Sequence, residues 1–158
     1  MELFTRGIRP AVSPGLSVSR VGSAAQNKVI KQMAGSLKLE LAQFREVEDF
    51  TKLGFVLDDV TKKLVDRGEK LTRLLIQPRY NPIGITDQTI FLFAALNGYL
   101  NDVPVAMVSL YETQLFSFLK NSPFYKPLQY HLKRKIDVRV LDFFLKHFRK
   151  AFLKVFVK

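Results

Sequence analysis

The chain has 158 residues, no cysteine, two histidines and a hydrophobic fraction of 47%, which is enough for one buried core. The absence of cysteine excludes a disulfide scaffold and a thiolate nucleophile, and His131 and His147 are too few for a histidine-based zinc site. The net charge of +11 is uneven, because residues 1–119 carry 14 Lys and Arg against 12 Asp and Glu, whereas residues 120–158 carry 11 against 2.

The sequence shows no pattern of a targeting or membrane-spanning segment. The first residues have neither the charged and then apolar order of a secretory signal nor the long Arg- and Ser-rich helix of a transit peptide. The longest apolar run, Thr89–Leu96, stops at Asn97 and is far shorter than the ~20 residues that cross a bilayer. We therefore expect neither segment.

The first 23 residues are broken by turn-forming residues and contain one predicted strand. Glycines and prolines interrupt the chain at positions 7, 10, 14, 15 and 22. Between these breaks Leu16, Val18 and Val21 form a short β-type run. A strand and loop are therefore predicted before the first long helix.

From Ala24 to Lys52 the pattern becomes helical. Apolar residues recur every three or four positions, at Val29, Ile30, Met33, Leu37, Leu41, Phe44, Val47 and Phe50. This spacing predicts a long amphipathic helix. Gly35-Ser36 lies inside the pattern and predicts a kink, or a joint between two helices.

Two helices are predicted next, separated by a glycine. Asp58 or Asp59 is a favourable N-cap for the first helix, which should end near Gly68. The second begins at Leu71, and Pro78 terminates it.

Two more helices follow a turn at residues 81–84. Thr86 is the predicted cap of a helix that runs as far as Gly98. Pro104 opens the next helix. One face of that helix carries Val108, Tyr111, Leu115 and Leu119.

The basic tail ends in a predicted helix from about Val138, after interruptions at Pro123 and Pro127. One apolar stripe contains Leu141, Phe144, Leu145, Phe148, Phe152 and Val155. Such a stripe is compatible with an anionic membrane surface, with a partner's groove, or with packing as the last helix of a bundle. The fold class is therefore mainly α, a helical bundle after a short strand and loop.

Arg20 is the first candidate for chemistry, because it lies between the predicted strand and the first helix, next to Gly22. A guanidinium supplied by a neighbouring subunit stabilises the charge that develops on the γ-phosphate in phosphoryl transfer. An ordinary surface ion pair is the alternative interpretation of such an arginine.

The segment Gly7–Gln26 around Arg20 closely resembles the alpha subunit of the F-type ATP synthase. The resemblance continues to about Leu119, beyond which it fades. It is carried further by the segments Leu37–Glu46, Arg67-Gly68, Leu71-Thr72, Leu74-Leu75 and Asn97–Leu100.

The resemblance implies three segments. Residues 1–23 would be the end of a nucleotide-binding domain with an arginine-finger motif, residues 24–119 a C-terminal helical bundle, and residues 120–158 a divergent basic helical tail. In this family the arginine at the position of Arg20 reaches into the catalytic nucleotide site on the beta subunit.

The resemblance also implies residues that face the adenine of a noncatalytic nucleotide. These are Phe4, Arg9, Pro10, Gln77 and Arg79. An aromatic ring and a proline form a flat apolar wall, and an amide reads the base edge. Arg79 stands where the family has a glutamine, so the contact of this position with the adenine departs from the family pattern.

The sequence contains no phosphate-binding loop and no aspartate placed to hold magnesium. ATP or ADP with Mg²⁺ is therefore expected only in an assembled complex, with none bound by this chain alone and no metal site of its own. The expected partners are the beta subunit, the remainder of an alpha subunit and the gamma subunit. The protein is not expected to be catalytic by itself.

Glu46 and Glu48 do not form a predicted acid–base pair. Two positions apart on a helix, they point to different faces and cannot converge on a substrate. We expect a solvated helix surface here.

The resemblance implies a peripheral location on the matrix side of the mitochondrial inner membrane. Enrichment in Lys and Phe, which have AT-rich codons, suggests an organelle gene. The alternatives are a basic amphipathic module that binds a membrane or nucleic acid through residues 120–158, or a nonfunctional gene fragment. No specific nucleic acid is expected, because the tail aromatics lie on the apolar stripe and are not interleaved as stacking platforms.

Overall fold

The computed structural model describes residues 2–13, 17, 19, 21–52, 58–78, 80, 82–123, 125–132 and 138–157. These residues confirm the mainly α class. They form helices α1 (Glu2–Thr5), α2 (Gly22–Ala25), α3 (Lys28–Lys52), α4 (Asp59–Leu74), α5 (Ile85–Leu96), α6 (Val108–Lys120), α7 (Tyr125–Leu132) and α8 (Val138–Phe156), with a 3₁₀ turn at Val105–Met107 before α6.

The long helix α3 is continuous, and the predicted joint at Gly35-Ser36 is absent. The helix begins a few residues later than its apolar pattern suggests. The Asn27 Oδ1 atom accepts a hydrogen bond from the Val29 N–H at 2.9 Å and sets the start. Gly35 is exposed and contacts nothing that a side chain would disturb, so it costs helix propensity without breaking the helix.

Helix α4 joins two predicted helices into one. Asp58 is its N-cap, as predicted, and its side chain accepts a hydrogen bond from the Thr61 N–H at 3.3 Å. The predicted helix end at Gly68 is wrong. Gly68 is buried at the contact with α3, where an added Cβ would lie 2.1 Å from Phe44 Cγ and 2.4 Å from Phe44 Cβ. The glycine permits close approach of the two helices.

Gly68→Ala is expected to destabilise the protein by about 2 kcal/mol. Overpacking costs ~1–3 kcal/mol or more, and the gain in helix propensity of about 1 kcal/mol offsets only part of it. Gly35→Ala is the matched control, since it gives the same gain in propensity on an exposed helix surface and should stabilise the protein. Urea unfolding followed by circular dichroism measures both, and equal stabilisation by the two variants would contradict the packing role of Gly68.

Two further predicted boundaries are wrong. Gly84, not Thr86, is the N-cap of α5, and Thr86 lies buried in the first turn. Pro127 does not interrupt the chain but occupies the first turn of α7, where a proline removes no intrahelical hydrogen bond.

One hydrophobic cluster connects α3, α4, α5, α6, α7 and α8. The predicted face of α6 is confirmed, because Val108, Tyr111, Leu115 and Leu119 are all buried. The tail contributes four stripe residues to the same cluster, namely Leu141, Leu145, Phe148 and Phe152. Val155, predicted to lie on the same stripe, is instead 63% exposed. The division at residues 23 and 119 stays a prediction.

Polar contacts fix the angle between α3, α4 and the end of α5. The Arg67 guanidinium donates to both carboxylate oxygens of Glu40, at 2.5 and 2.9 Å, and to the Leu96 carbonyl at 2.8 Å. Lys70 is 5% exposed, and its ammonium group donates to the Asn101 carbonyl at 2.7 Å. Since a buried charge without partners is costly, these contacts specify one arrangement of the helices.

Candidate functional site

The N-terminal segment, residues 3–13, lies against α3 and the residues that follow α4. The Gln77 N–H donates a hydrogen bond to the Arg9 carbonyl at 2.8 Å. Two pairs of side chains hold the segment on α3: Arg6 forms an ion pair with Glu48, and Arg45 donates to the Ser13 hydroxyl. These contacts bring the first residues of the protein to Gln77.

Four of the predicted adenine-facing residues meet in this region. The Arg9 guanidinium lies over the Phe4 ring, 4.7 Å from its centroid, which is a cation–π distance. The Phe4 ring is 57% exposed, and Arg9 and Pro10 are also exposed. The structure thus presents an aromatic ring, a guanidinium and a proline to solvent, next to a half-buried amide at Gln77.

A cavity of about 230 Å³ lies beneath this surface. Its lining is mostly aliphatic and comprises Leu3, Ile8, Pro10, Val12, Leu41, Arg45, Thr72, Leu75 and Gln77. Pockets that enclose a whole ligand measure ~300–1,000 Å³, so this cavity has room for one ring system and not for a complete nucleotide.

Arg20 and Arg79 lie outside the described residues. Half of the strand predicted over Leu16–Val21 also falls outside them, and its described positions 17, 19 and 21 are not in a strand. Next to Arg20, the Ser19 hydroxyl accepts a hydrogen bond from the Gly22 N–H at 2.9 Å. The roles assigned to Arg20 and Arg79 therefore stay predictions.

Glu46 and Glu48 point to different surroundings, as predicted, but the solvated surface expected there holds only for Glu46, since the Glu48 side chain is 17% exposed. Glu46 is exposed, whereas Glu48 forms the ion pair with Arg6. The two carboxylates therefore serve no common site.

Sequence reasoning missed Arg45 and Thr72. Among the described residues that line the cavity, Arg45 alone is charged, and it also fastens Ser13, which is 32 positions away in the sequence. No spacing in the sequence signals a contact over that separation.

Burial raises the pKa values of four groups away from this surface, namely Tyr99, Tyr111, Glu112 and Tyr125. Burial, and then the hydrogen bond to Asp142, raise the pKa of Tyr99 to about 12. Burial, and then the 2.5 Å hydrogen bond to Asp87, raise the pKa of Tyr125 to about 12 as well. These tyrosines fasten α8 and α7 to the bundle and remain neutral at physiological pH. In Glu112, burial alone raises the pKa to about 7.

Glu112→Gln is expected to stabilise the protein at pH 8 and to have little effect at pH 4. The folded-state pKa of about 7 exceeds the ordinary value of 4.5, so the folded state favours the protonated carboxyl. The protonated Glu112 carboxyl therefore contributes a stability that is complete below pH ~4.5 and is lost as the pH rises through ~7. Because water screens the half-buried carboxylate, we expect Glu112→Gln to raise the free energy of unfolding at pH 8 by only about 1 kcal/mol. Urea unfolding at both pH values measures it, and an equal effect at the two would contradict this assignment.

Neither a metal cluster nor a membrane span is found among the described residues. No group of three or more His, Asp or Glu side chains there is arranged to hold an ion. Every described helix is too short or too polar to cross a bilayer.

Known proteins and one family model match most of the sequence. The model of the family described as ATP synthase alpha/beta chain, C terminal domain, matches residues 26–142. The ATP synthase subunit alpha of Aquifex aeolicus (strain VF5) is 50% identical over 120 residues, which are 76% of this chain and 24% of that protein.

Two other relatives give the same result. The ATP synthase subunit alpha of Petrotoga mobilis is 51% identical over 120 residues, covering 76% of this chain and 24% of that protein. The mitochondrial ATP synthase subunit alpha of Neurospora crassa is 51% identical over 121 residues, which are 77% of this chain and 22% of that protein. The chain therefore spans about a quarter of the length of the relatives it matches.

Proposed function

The protein belongs to the family of ATP synthase alpha/beta C-terminal domains, and from this membership we propose that it is part of the alpha subunit in the catalytic head of a proton-translocating F-type ATP synthase. The observation that carries the proposal is the identity of 50–51% to alpha subunits over about three quarters of the sequence. In this role it contributes to rotary ATP synthesis without being catalytic by itself.

The proposed contribution to catalysis is Arg20, acting in trans. The family resemblance of the segment around Arg20 supports a beta-type subunit as the holder of the phosphoryl group that Arg20 stabilises. A guanidinium suits this task because its planar fork matches phosphate oxygens and stays charged at every physiological pH.

The proposed contribution to nucleotide binding is an adenine-facing surface. The exposed Phe4 ring, Pro10 and the Gln77 amide have the chemistry of a base site, namely a flat apolar wall beside a donor and acceptor. Arg9 connects the aromatic wall to the amide, because its guanidinium lies over the Phe4 ring and its carbonyl accepts a hydrogen bond from the Gln77 N–H. Arg79 is proposed as a further residue of this adenine-facing surface. Phosphates and Mg²⁺ would be held by the remainder of an alpha subunit, in the assembled complex only.

The proposed partners are the beta subunit, the remainder of an alpha subunit and the gamma subunit. The proposed location is the matrix side of the mitochondrial inner membrane, peripheral and through the complex. The mitochondrial relative from Neurospora crassa supports this location, as does the Lys and Phe enrichment typical of an organelle gene.

Burial of the tail stripe favours this function over a basic membrane- or nucleic-acid-binding module. Leu141, Leu145, Phe148 and Phe152 are each at most 5% exposed. Apolar residues that pack in the bundle core are not available to a bilayer.

Assembly is the direct test of the proposal. The protein, with an affinity tag, is co-expressed with the upstream part of an alpha subunit and with beta and gamma subunits. We expect all of them to co-purify as one complex that hydrolyses ATP. Leu115→Asp is the control, because a charge at this fully buried position unfolds the bundle and should abolish co-purification. A folded protein that purifies alone would contradict the proposed role.

A further inference from the structure

The solvent-facing side of α8 is cationic along most of its length. Its exposed residues include Arg139, Lys146, Lys150 and Lys154. At about 100° per residue these four positions fall within an arc of about 80°, on the side of the helix opposite its buried leucines and phenylalanines. From Arg139 to Lys154 the row is ~22 Å long, so α8 presents one straight line of positive charge to solvent.

This charge is little compensated within the protein. Asp142 is the one acidic residue of α8, and it accepts a hydrogen bond from the Tyr99 hydroxyl and forms an ion pair with Lys146 at 2.7 Å. Lys150 and Lys154 form no ion pair among the residues that the structure describes. Negative charge on another molecule is therefore the complement of this face.

An aromatic ring protrudes among these cations. Phe143 is 59% exposed and lies one turn from Arg139 and one turn from Lys146, on the same face of α8. The rings of His147 and Phe144 flank it, with centroids 4.4 and 5.8 Å from its own. The ring thus offers apolar surface to whatever meets the row of positive charge.

We infer that the solvent-facing side of α8 binds the surface of a bilayer that contains anionic phospholipid. The arginine and lysines meet the headgroup phosphates, and Phe143 enters the boundary between headgroups and acyl chains. The helix lies parallel to the bilayer, and its buried face stays in the core of the bundle. This contact goes beyond the proposed function, which does not require it.

The geometry of the face favours a bilayer over a nucleic acid. The cations share one side of a straight helix, so a flat anionic surface reaches all of them at once, whereas a duplex curves away from such a row. Single-stranded nucleic acid stacks successive bases on several aromatic rings, and this side of α8 carries one phenylalanine. A layer of negative charge above an apolar layer matches both the cations and the protruding Phe143 ring.

Co-sedimentation of the full-length protein with lipid vesicles tests the inference. One set of vesicles consists of phosphatidylcholine alone, and the other of phosphatidylcholine mixed with phosphatidylglycerol. We expect binding at least about tenfold tighter to the anionic vesicles, since each lysine or arginine near such a surface contributes about fivefold in affinity. The affinity should fall as salt rises, because the Debye length shortens.

Variants assign the binding to this face of α8. The double variant Lys150→Gln, Lys154→Gln is expected to weaken binding to the anionic vesicles about 25-fold. Phe143→Ala, which leaves the charge unchanged, should weaken it about fivefold through lost apolar burial. All three positions are exposed, so the circular dichroism of the variants should match that of the unmodified protein.

A matched control removes the same charge elsewhere. Lys31 and Lys38 are exposed on α3, and Lys31→Gln with Lys38→Gln lowers the net charge by the same two units. Because these positions lie outside the α8 face, the control should weaken binding by less than about twofold. It separates contact through α8 from a general effect of net charge.

Three outcomes would overturn the inference. They are no binding to the anionic vesicles, equal binding to both sets of vesicles, and equal effects of the two double variants. A single-stranded oligonucleotide that binds more tightly than the vesicles and depends on the same two lysines of α8 would assign the face to nucleic acid instead. None of these measurements depends on assembly or on ATP turnover, so the proposed function stands or fails separately.

Discussion

Arg20→Ala is expected to lower the ATP turnover of the assembled complex by roughly three orders of magnitude, while the complex still forms. An arginine supplied in trans to a transferring phosphoryl group contributes about 10³–10⁵ in kcat, since it offsets charge that appears only in the transition state. The loss should therefore appear in kcat, with KM nearly unchanged. Steady-state ATP hydrolysis by the purified complex measures both.

Two variants separate this role from a general effect of removing positive charge. Arg73→Ala removes an exposed arginine of α4 and should leave turnover unchanged. Arg20→Lys keeps the charge but loses the planar fork, so it should recover only part of the rate. If Arg20→Ala turns over ATP as fast as Arg73→Ala, then Arg20 is an ordinary surface arginine.

Leu145→Ala is expected to destabilise the protein by about 3 kcal/mol. Leu145 is fully buried and belongs to the cluster that also contains residues of α3, α4, α5, α6 and α7. Truncation of a buried leucine costs ~2–5 kcal/mol, because apolar burial is lost and a cavity remains. Urea unfolding followed by circular dichroism measures the change.

Phe143→Ala is the control on the same helix. Phe143 is 59% exposed, so its truncation should change stability by no more than about 0.5 kcal/mol. A tail that only touched the bundle would give equally small effects for both variants. That result would mean that residues 138–156 fold independently of the core.

The adenine-facing role of the candidate residues stays a prediction, and what the structure adds is their position. Resemblance to the alpha subunit selected Phe4, Arg9, Pro10 and Gln77, and the structure brings these four together. The contacts that hold them, Arg6 to Glu48 and Arg45 to Ser13, were not predicted. Each joins residues more than 30 positions apart, and nothing in local spacing reports which partner an arginine will find.

The helical period predicted the buried face of α6 fully, but Phe50 and Val155, predicted on the apolar faces of α3 and α8, are exposed. Val108, Tyr111, Leu115 and Leu119 follow the helical period, and all four are buried. Asp58 or Asp59 was predicted as a cap from residue type and position before an apolar pattern, and Asp58 is the cap. Both signals are local, since they depend on the helical repeat and on side-chain hydrogen bonds to nearby N–H groups.

By itself, the sequence determined the helical class, the apolar face of α6 and the family, and it named Arg20 as a candidate. Only the tertiary structure decided what Gly68 does and which apolar residues of the tail are covered. Gly68 reads as a helix end from its residue type, yet it is required in mid-helix because Phe44 packs onto it. Leu145 and Val155 have similar apolar character, but Leu145 is buried and Val155 lines an open groove. Helical period predicts which residues share a face, whereas burial depends on what packs against that face, and distant parts of the sequence provide those neighbours.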